Sequence, residues 1–124
     1  MVVEDKLLLQ KEQLKKAIDA LDETLKLSPT RVNKDATIQR FEFTFELAWK
    51  ILQSTLRSRG VEVYSPREVI RAAAQESLIE NVDLWLGFLA SRNASTHIYS
   101  EEMANDTYEE AKSFFVEVKK LGSE

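Results

Sequence analysis

The 124-residue chain carries 17 Lys and Arg against 21 Asp and Glu, a formal net charge of −4, and no cysteine, which excludes a disulfide framework, a thiolate metal site and the broad basic face of a tight nonspecific nucleic-acid binder. Apolar residues make up 44% of the chain and there are only three Gly and two Pro, so disorder and a strand-and-turn architecture are excluded as well. A single helix-rich domain over residues 1–124 is the expectation, all-α and of ordinary size.

The first helical pattern runs from about Val3 to Leu27, with Leu7, Leu14, Ile18, Leu21 and Leu25 on one amphipathic face. Ser28-Pro29-Thr30 ends it, because proline disfavours helical geometry in the residue before it, and Asn33 or Asp35 is placed to cap the next helix. That second helix should span about Lys34 to Arg59 and stop at Gly60. Ile38, Phe41, Phe45, Ala48, Trp49, Leu52 and Leu56 form one apolar stripe on it, and Phe43, Leu47 and Ile51 form a second arc. Only a narrow polar band of Gln39, Glu42, Glu46, Lys50 and Gln53 remains. A helix apolar on two sides must pack on two sides, so this one is either central to a bundle or shared with a second subunit. Within the polar band, Glu42, Glu46 and Lys50 at steps of four read as a solvated strip with a Glu-to-Lys pair rather than a metal or nucleotide site. Phe41, Phe43 and Phe45 read as core and interface rather than a base-stacking platform.

Ser65-Pro66-Arg67-Glu68 combines an N-cap serine, a proline in the first helical position and a glutamate that closes a capping box, and a short third helix should follow to about Glu76. Asn81 can cap a fourth, with Val82, Trp85, Phe88 and Leu89 buried and Arg92 one turn later. A fifth, from about Glu101 to Leu121, carries Ala104, Tyr108, Ala111, Phe115 and Val118 at steps of four and three. Four to five antiparallel helices make a bundle. The charge is uneven along it: residues 31 to 71 hold eight basic and five acidic residues, residues 72 to 124 four basic and ten acidic, so a small basic groove is allowed.

Arg92-Asn93-Ala94-Ser95-Thr96-His97-Ile98-Tyr99 is the segment that groups residues able to do chemistry, and it holds the chain's one histidine. Arginine offers a planar fork of donors to a phosphate, and histidine titrates near neutrality. On a continuous helix Arg92 and His97 would point about 140° apart; Ser95 and Thr96, which favour caps and turns, predict a break that turns His97 toward a cleft. The plain alternative is that Arg92, Asn93 and His97 tie the helix end to the loop, and that Tyr99 is a half-buried packing residue.

The string Arg92-Asn93-x-x-x-His97-x-Tyr99 resembles the motif of HEPN domains. Phe41 to Lys50, preceded by Ile38-Gln39-Arg40, resembles the second helix of the nucleotidyltransferase substrate-binding family, a HEPN branch that includes HepT-like toxins. The order from Ser65 through Trp85 to Tyr99 is similar too, and the likeness covers about Asn33 to Ser100. The resemblance implies a HEPN-like bundle and a metal-independent endoribonuclease with Arg92, Asn93 and His97 in the catalytic site. It also implies a separately encoded minimal nucleotidyltransferase as partner, in a type VII-like toxin–antitoxin pair, and Tyr99 as the acceptor of nucleotidyl groups from that partner. One imidazole cannot be base and acid at once, so a homodimer or higher homo-oligomer that brings two His97 residues to one RNA is expected. No cofactor, metal site or nucleotidyltransferase activity of its own is expected. The alternative function is a non-catalytic subunit that presents substrate or nucleotide to the transferase, and a third is a structural helical adaptor. No apolar run approaches the ~20 residues needed to cross a bilayer and the N-terminus lacks the regions of a secretory signal, so a cytoplasmic protein without a membrane partner is the expectation.

Overall fold

A computed structural model describes the backbone of residues 2–122 and the side chains of residues 5–121. Five α-helices follow one another: α1 (Val2–Leu25), α2 (Arg31–Ser58), α3 (Pro66–Gln75), α4 (Val82–Ala94) and α5 (Glu101–Gly122), with a 3₁₀ turn (Ser95–His97) between the last two. There is no strand among the described residues. The helix starts are set by side chains that accept from otherwise orphaned backbone N–H groups. Thr30 accepts from the Asn33 amide at 3.2 Å, so α2 begins at Arg31, three residues before the expected start. Asn33, expected as a cap, instead donates its side-chain amide to the Ser28 carbonyl at 2.8 Å and fastens the loop behind the helix. Ser65 and Glu68 form the capping box of α3, and Asn81 caps α4. Gly60 at φ 82° closes α2: its N–H donates to Arg57 O at 3.0 Å and that of Val61 to Leu56 O at 2.9 Å. This paired closure needs a left-handed residue that glycine supplies without strain.

α2 is the central helix, packed against α1, α3, α4 and α5. Its doubly apolar surface is thereby largely consumed within one chain: Phe41, Phe45, Ala48, Ile51, Leu52 and Leu56 are buried, whereas Phe43 stays exposed. α1 runs antiparallel to it, with the Thr44 hydroxyl donating to Ala17 O at 3.4 Å and Arg40 Nη1 to Ala20 O at 2.5 Å. α5 runs parallel to it, with Lys34 bonded to Asn105 at 2.7 Å and Phe41 edge-on to Phe114 at 5.2 Å between ring centroids. Four long helices therefore alternate up and down, and α3 closes the end of the bundle where α2 stops, Arg59 of that end reaching the Glu76 carbonyl at 3.2 Å.

The middle of the core is aromatic. Phe114 meets Phe41, Phe45, Trp85 and Phe88 with centroids 5.2 to 5.9 Å apart, mostly edge-to-face, the geometry that the ring quadrupoles favour. On α5 the expected core residue was Phe115. It is half-buried beneath the Lys119 ammonium, 4.6 Å from its ring, and Phe114 holds the centre instead. The cause is geometric: α5 touches α1, α2 and α4, so its buried arc is wider than one stripe and takes in a residue about 80° from the stripe's axis.

Candidate functional site

α4 ends where Ser95 and Thr96 turn their hydroxyls back on the helix, to the carbonyls of Arg92 at 2.7 Å and Asn93 at 3.3 Å. Such back-bonding competes with helical pairing, and the chain tightens into the 3₁₀ turn Ser95–His97 before leaving as extended backbone at Ile98. The break falls between Arg92 and His97, where the two hydroxyl residues predict it.

The turn is seated on α2. The buried Ser95 hydroxyl has one proton, which the Arg92 carbonyl shares with the Glu42 carboxylate, and one turn further along α2 the Glu46 carboxylate Oε1 binds Arg92 Nη2. Glu46 holds Lys50 as well, Oε2 to Nζ at 3.7 Å. The strip of Glu42, Glu46 and Lys50 is therefore not merely solvated: the expected Glu-to-Lys pair is present, but both carboxylates also grip the motif. These are site residues that the sequence reading missed. The available signal was the narrowness of the polar band on a central helix, since polar residues there must face something other than core.

Arg92, Glu42 and Glu46 line, with Gln39, Phe43 and Thr96, an open cavity of about 380 Å³. Phe43 lies at its wall with 41% of its surface exposed, while Phe41 and Phe45 are core as expected. A second cavity of about 340 Å³ between α4 and α5 is lined by Asp106 and Glu110 among small and apolar residues. Its two carboxylates oppose an anion, and no basic side chain lines it. The cavity holding Arg92 also has two carboxylates, Glu42 and Glu46, but sets the guanidinium against them. A third, of about 230 Å³, is lined by Lys11 and Arg59 without a carboxylate but lies away from the motif.

Arg92 Nη1 lies 3.4 Å from Asn93 Oδ1, a long contact. His97 and Tyr99 form a separate pair, Nδ1 to hydroxyl at 3.3 Å with ring centroids 6.3 Å apart. No hydrogen bond joins the two pairs among the described residues, and His97 does not line the Arg92 cavity. The structure thus brings Arg92 to Asn93 and His97 to Tyr99 without uniting all four in one protomer. Tyr99 is 84% exposed, which overturns the half-buried packing reading. If Nδ1 donates to the Tyr99 oxygen, Nε2 keeps its lone pair and is free to take a proton. Among the described residues no group of three or more His, Cys, Asp or Glu is arranged to hold a metal ion, and no helix is long and apolar enough to cross a membrane.

The profile of the family described as nucleotidyltransferase substrate binding protein like matches residues 9–124. A Haemophilus influenzae protein named probable ribonuclease HepT is 28% identical over 85 residues, 64% of this chain; the chain's match spans 58% of that relative's length. A crystal structure of a Thermus thermophilus protein superposes with a TM-score of 0.82 at 36% identity, covering 87% of this chain and 94% of that one. A Haemophilus influenzae structure, reported to reveal the fold of a substrate binding domain of a nucleotidyltransferase, superposes with a TM-score of 0.81 at 23% identity, over 91% and 96% of the two chains. The last likeness carries the fold alone: the same all-helical bundle.

Proposed function

The chain belongs to the nucleotidyltransferase substrate binding protein like family, and on that premise we propose that it is a metal-independent RNA-cleaving toxin paired with a separately encoded minimal nucleotidyltransferase, in a type VII-like toxin–antitoxin system. The observation that carries the reading is the placement of Arg92 in an open cavity with an exposed histidine one 3₁₀ turn further along the chain. The name of the Haemophilus relative, probable ribonuclease HepT, supports the same chemistry.

In this reading Arg92 binds the scissile phosphate and stabilises the charge that develops on it, and Asn93 orients the guanidinium or the substrate. His97 Nε2 takes the proton of the ribose 2′-hydroxyl. The new bond is O2′–P and the broken one P–O5′, so the products end in a 2′,3′-cyclic phosphate and a 5′-hydroxyl once the leaving oxygen is protonated. Because Arg92 and His97 do not meet within one chain, a twofold dimer completes the site, Arg92 of one protomer facing His97 of its partner, and the second His97 supplies the acid. Exposed Phe43 beside the Arg92 cavity supports an interface on that face. Tyr99 is the residue that the partner transferase modifies. The working compartment is the cytoplasm, and no membrane takes part.

The same separation favours one rival: a non-catalytic subunit that presents substrate or nucleotide to the transferase would need Arg92 as an anion anchor and would leave His97 unused. RNA cleavage in the presence of a chelator separates the two. The wild type should give cyclic-phosphate ends, and His97→Ala or Arg92→Ala should slow the reaction by roughly 10²-fold or more. His97 is exposed, so its removal should leave melting unchanged; Arg92→Ala loses the half-exposed Glu46 pair and should cost no more than about 1 kcal/mol. Equal cleavage and equal growth inhibition by wild type and variants would reject the catalytic assignment.

A further inference from the structure

We propose that Glu46 is the positioning residue for Arg92, holding its guanidinium in alignment at the cost of weaker anion binding. The inference rests on the reading of Arg92 as the phosphate-binding cation. Arginine reaches its site through a long, flexible side chain, so something must hold the fork still if it is to meet a phosphate in one geometry. Its own helix offers only the long Asn93 contact of 3.4 Å. The firm hold comes from α2, where Glu46 Oε1 takes Nη2 while Oε2 faces Lys50 at 3.7 Å. Glu46 is 30% and Arg92 35% exposed at the side chain, so bulk solvent screens this pair less than a fully exposed one.

The charges fit such a role. Arg92 and Lys50 balance Glu42 and Glu46, so anion binding in the cavity rests on the guanidinium's own donors: it has five N–H groups, of which Glu46 and Asn93 occupy two. The carboxylate nonetheless stands beside the phosphate position and opposes ground-state binding. Its removal should therefore pull affinity and alignment in opposite directions. The hold is also built on a rigid base, because α2 is the central helix and its Glu42, one turn away, pins the 3₁₀ turn through Ser95.

Two measurements on the full chain test this. In NMR of the arginine guanidinium groups, Glu46→Gln should speed rotation at Arg92 by about tenfold, with Arg40, bonded to Ala20 O, as the unchanged internal reference. Unchanged Arg92 rotation in this variant would overturn the proposal. In RNA cleavage, Glu46→Gln should lower kcat by about tenfold while also lowering KM, and Glu46→Asp, which keeps the charge, should recover part of kcat. A rise in KM together with a lower melting temperature in both variants would mean a merely structural residue, and a rise in kcat would mean a competitor of the phosphate; either overturns it. Should the wild type cleave no RNA, the cleavage reading fails and the guanidinium rotation still decides the role of Glu46.

Discussion

His97 and Tyr99 stand on the exposed end of the 3₁₀ turn with Nδ1 and hydroxyl 3.3 Å apart, and that contact gives the tyrosine leverage over the imidazole. If the cognate transferase uses ATP, the Tyr99 phenol oxygen bonds to the α-phosphorus, the α–β anhydride bond breaks and pyrophosphate leaves. The phenol oxygen becomes an ester oxygen, a poorer acceptor for Nδ1–H, and a phosphate charge arrives beside the path of the RNA backbone. Incubation with the transferase, ATP and magnesium should therefore add one nucleotidyl mass at Tyr99, none in Tyr99→Phe, and the modified protein should lose RNA binding and cleavage. Modification that persists in Tyr99→Phe, or a modified protein that cleaves normally, would remove the switch and favour the substrate-presenting subunit. Residue identities made this much legible: the candidate motif is contiguous, so Arg92, Asn93, His97 and Tyr99 can be picked out together. Glu42 and Glu46 could not be, because their link to the motif spans about fifty residues of chain and exists only once α2 and α4 lie side by side.

At the scale of the element, the starts and stops of the helices follow from local chemistry. In the capping box of α3, Ser65 donates its backbone N–H and its hydroxyl to Glu68 Oε1 at 3.2 and 3.0 Å, and Glu68 N–H returns a bond to Ser65 Oγ at 3.2 Å. Those donors hold the Glu68 carboxyl below its ordinary value of 4.5. A folded pKa below the unfolded one means that the stabilisation is complete above the ordinary glutamate range and is lost as pH falls through the folded value. Ser65→Ala should cost about 1 kcal/mol at neutral pH. Glu68→Gln should be less stable than wild type at neutral pH, and the gap should narrow on acidification through the glutamate range. Melting curves of both variants between neutral and acidic pH check this, and a gap that widens in acid would contradict the capping assignment. The start of α2 shows the limit of such local reading: Thr30, Asn33 and Asp35 all suit an N-cap, and the loop geometry that let Asn33 reach back to Ser28 O decided for Thr30.

For the whole molecule, the two apolar sides of α2 do not by themselves require a second subunit, since α1, α3, α4 and α5 cover them. The composite site proposed above is what needs one, because the halves of the motif stay apart in one chain, and exposed Phe43 beside the Arg92 cavity is its proposed seat. Light scattering at micromolar concentration should give at least a dimer, and Phe43→Lys, which places a charge on that face, should shift it toward monomer without loss of helix; a stable wild-type monomer would sink the composite site. Hydrophobic periodicity alone determined the all-α class, five helices in their order, and most of the core, because burial demands a 3.6-residue period that can be counted along a chain. The capping box of α3, the glycine closure of α2 and the break before His97 were likewise local, each resting on residues within a few positions of one another. Only the tertiary structure decided that Phe114 rather than Phe115 occupies the centre, that Tyr99 is exposed, and that Glu42 and Glu46 hold the motif from a distant helix. Those outcomes depend on how many neighbours each helix has and at what angle they meet, and the pattern along one strand of chain contains no record of either.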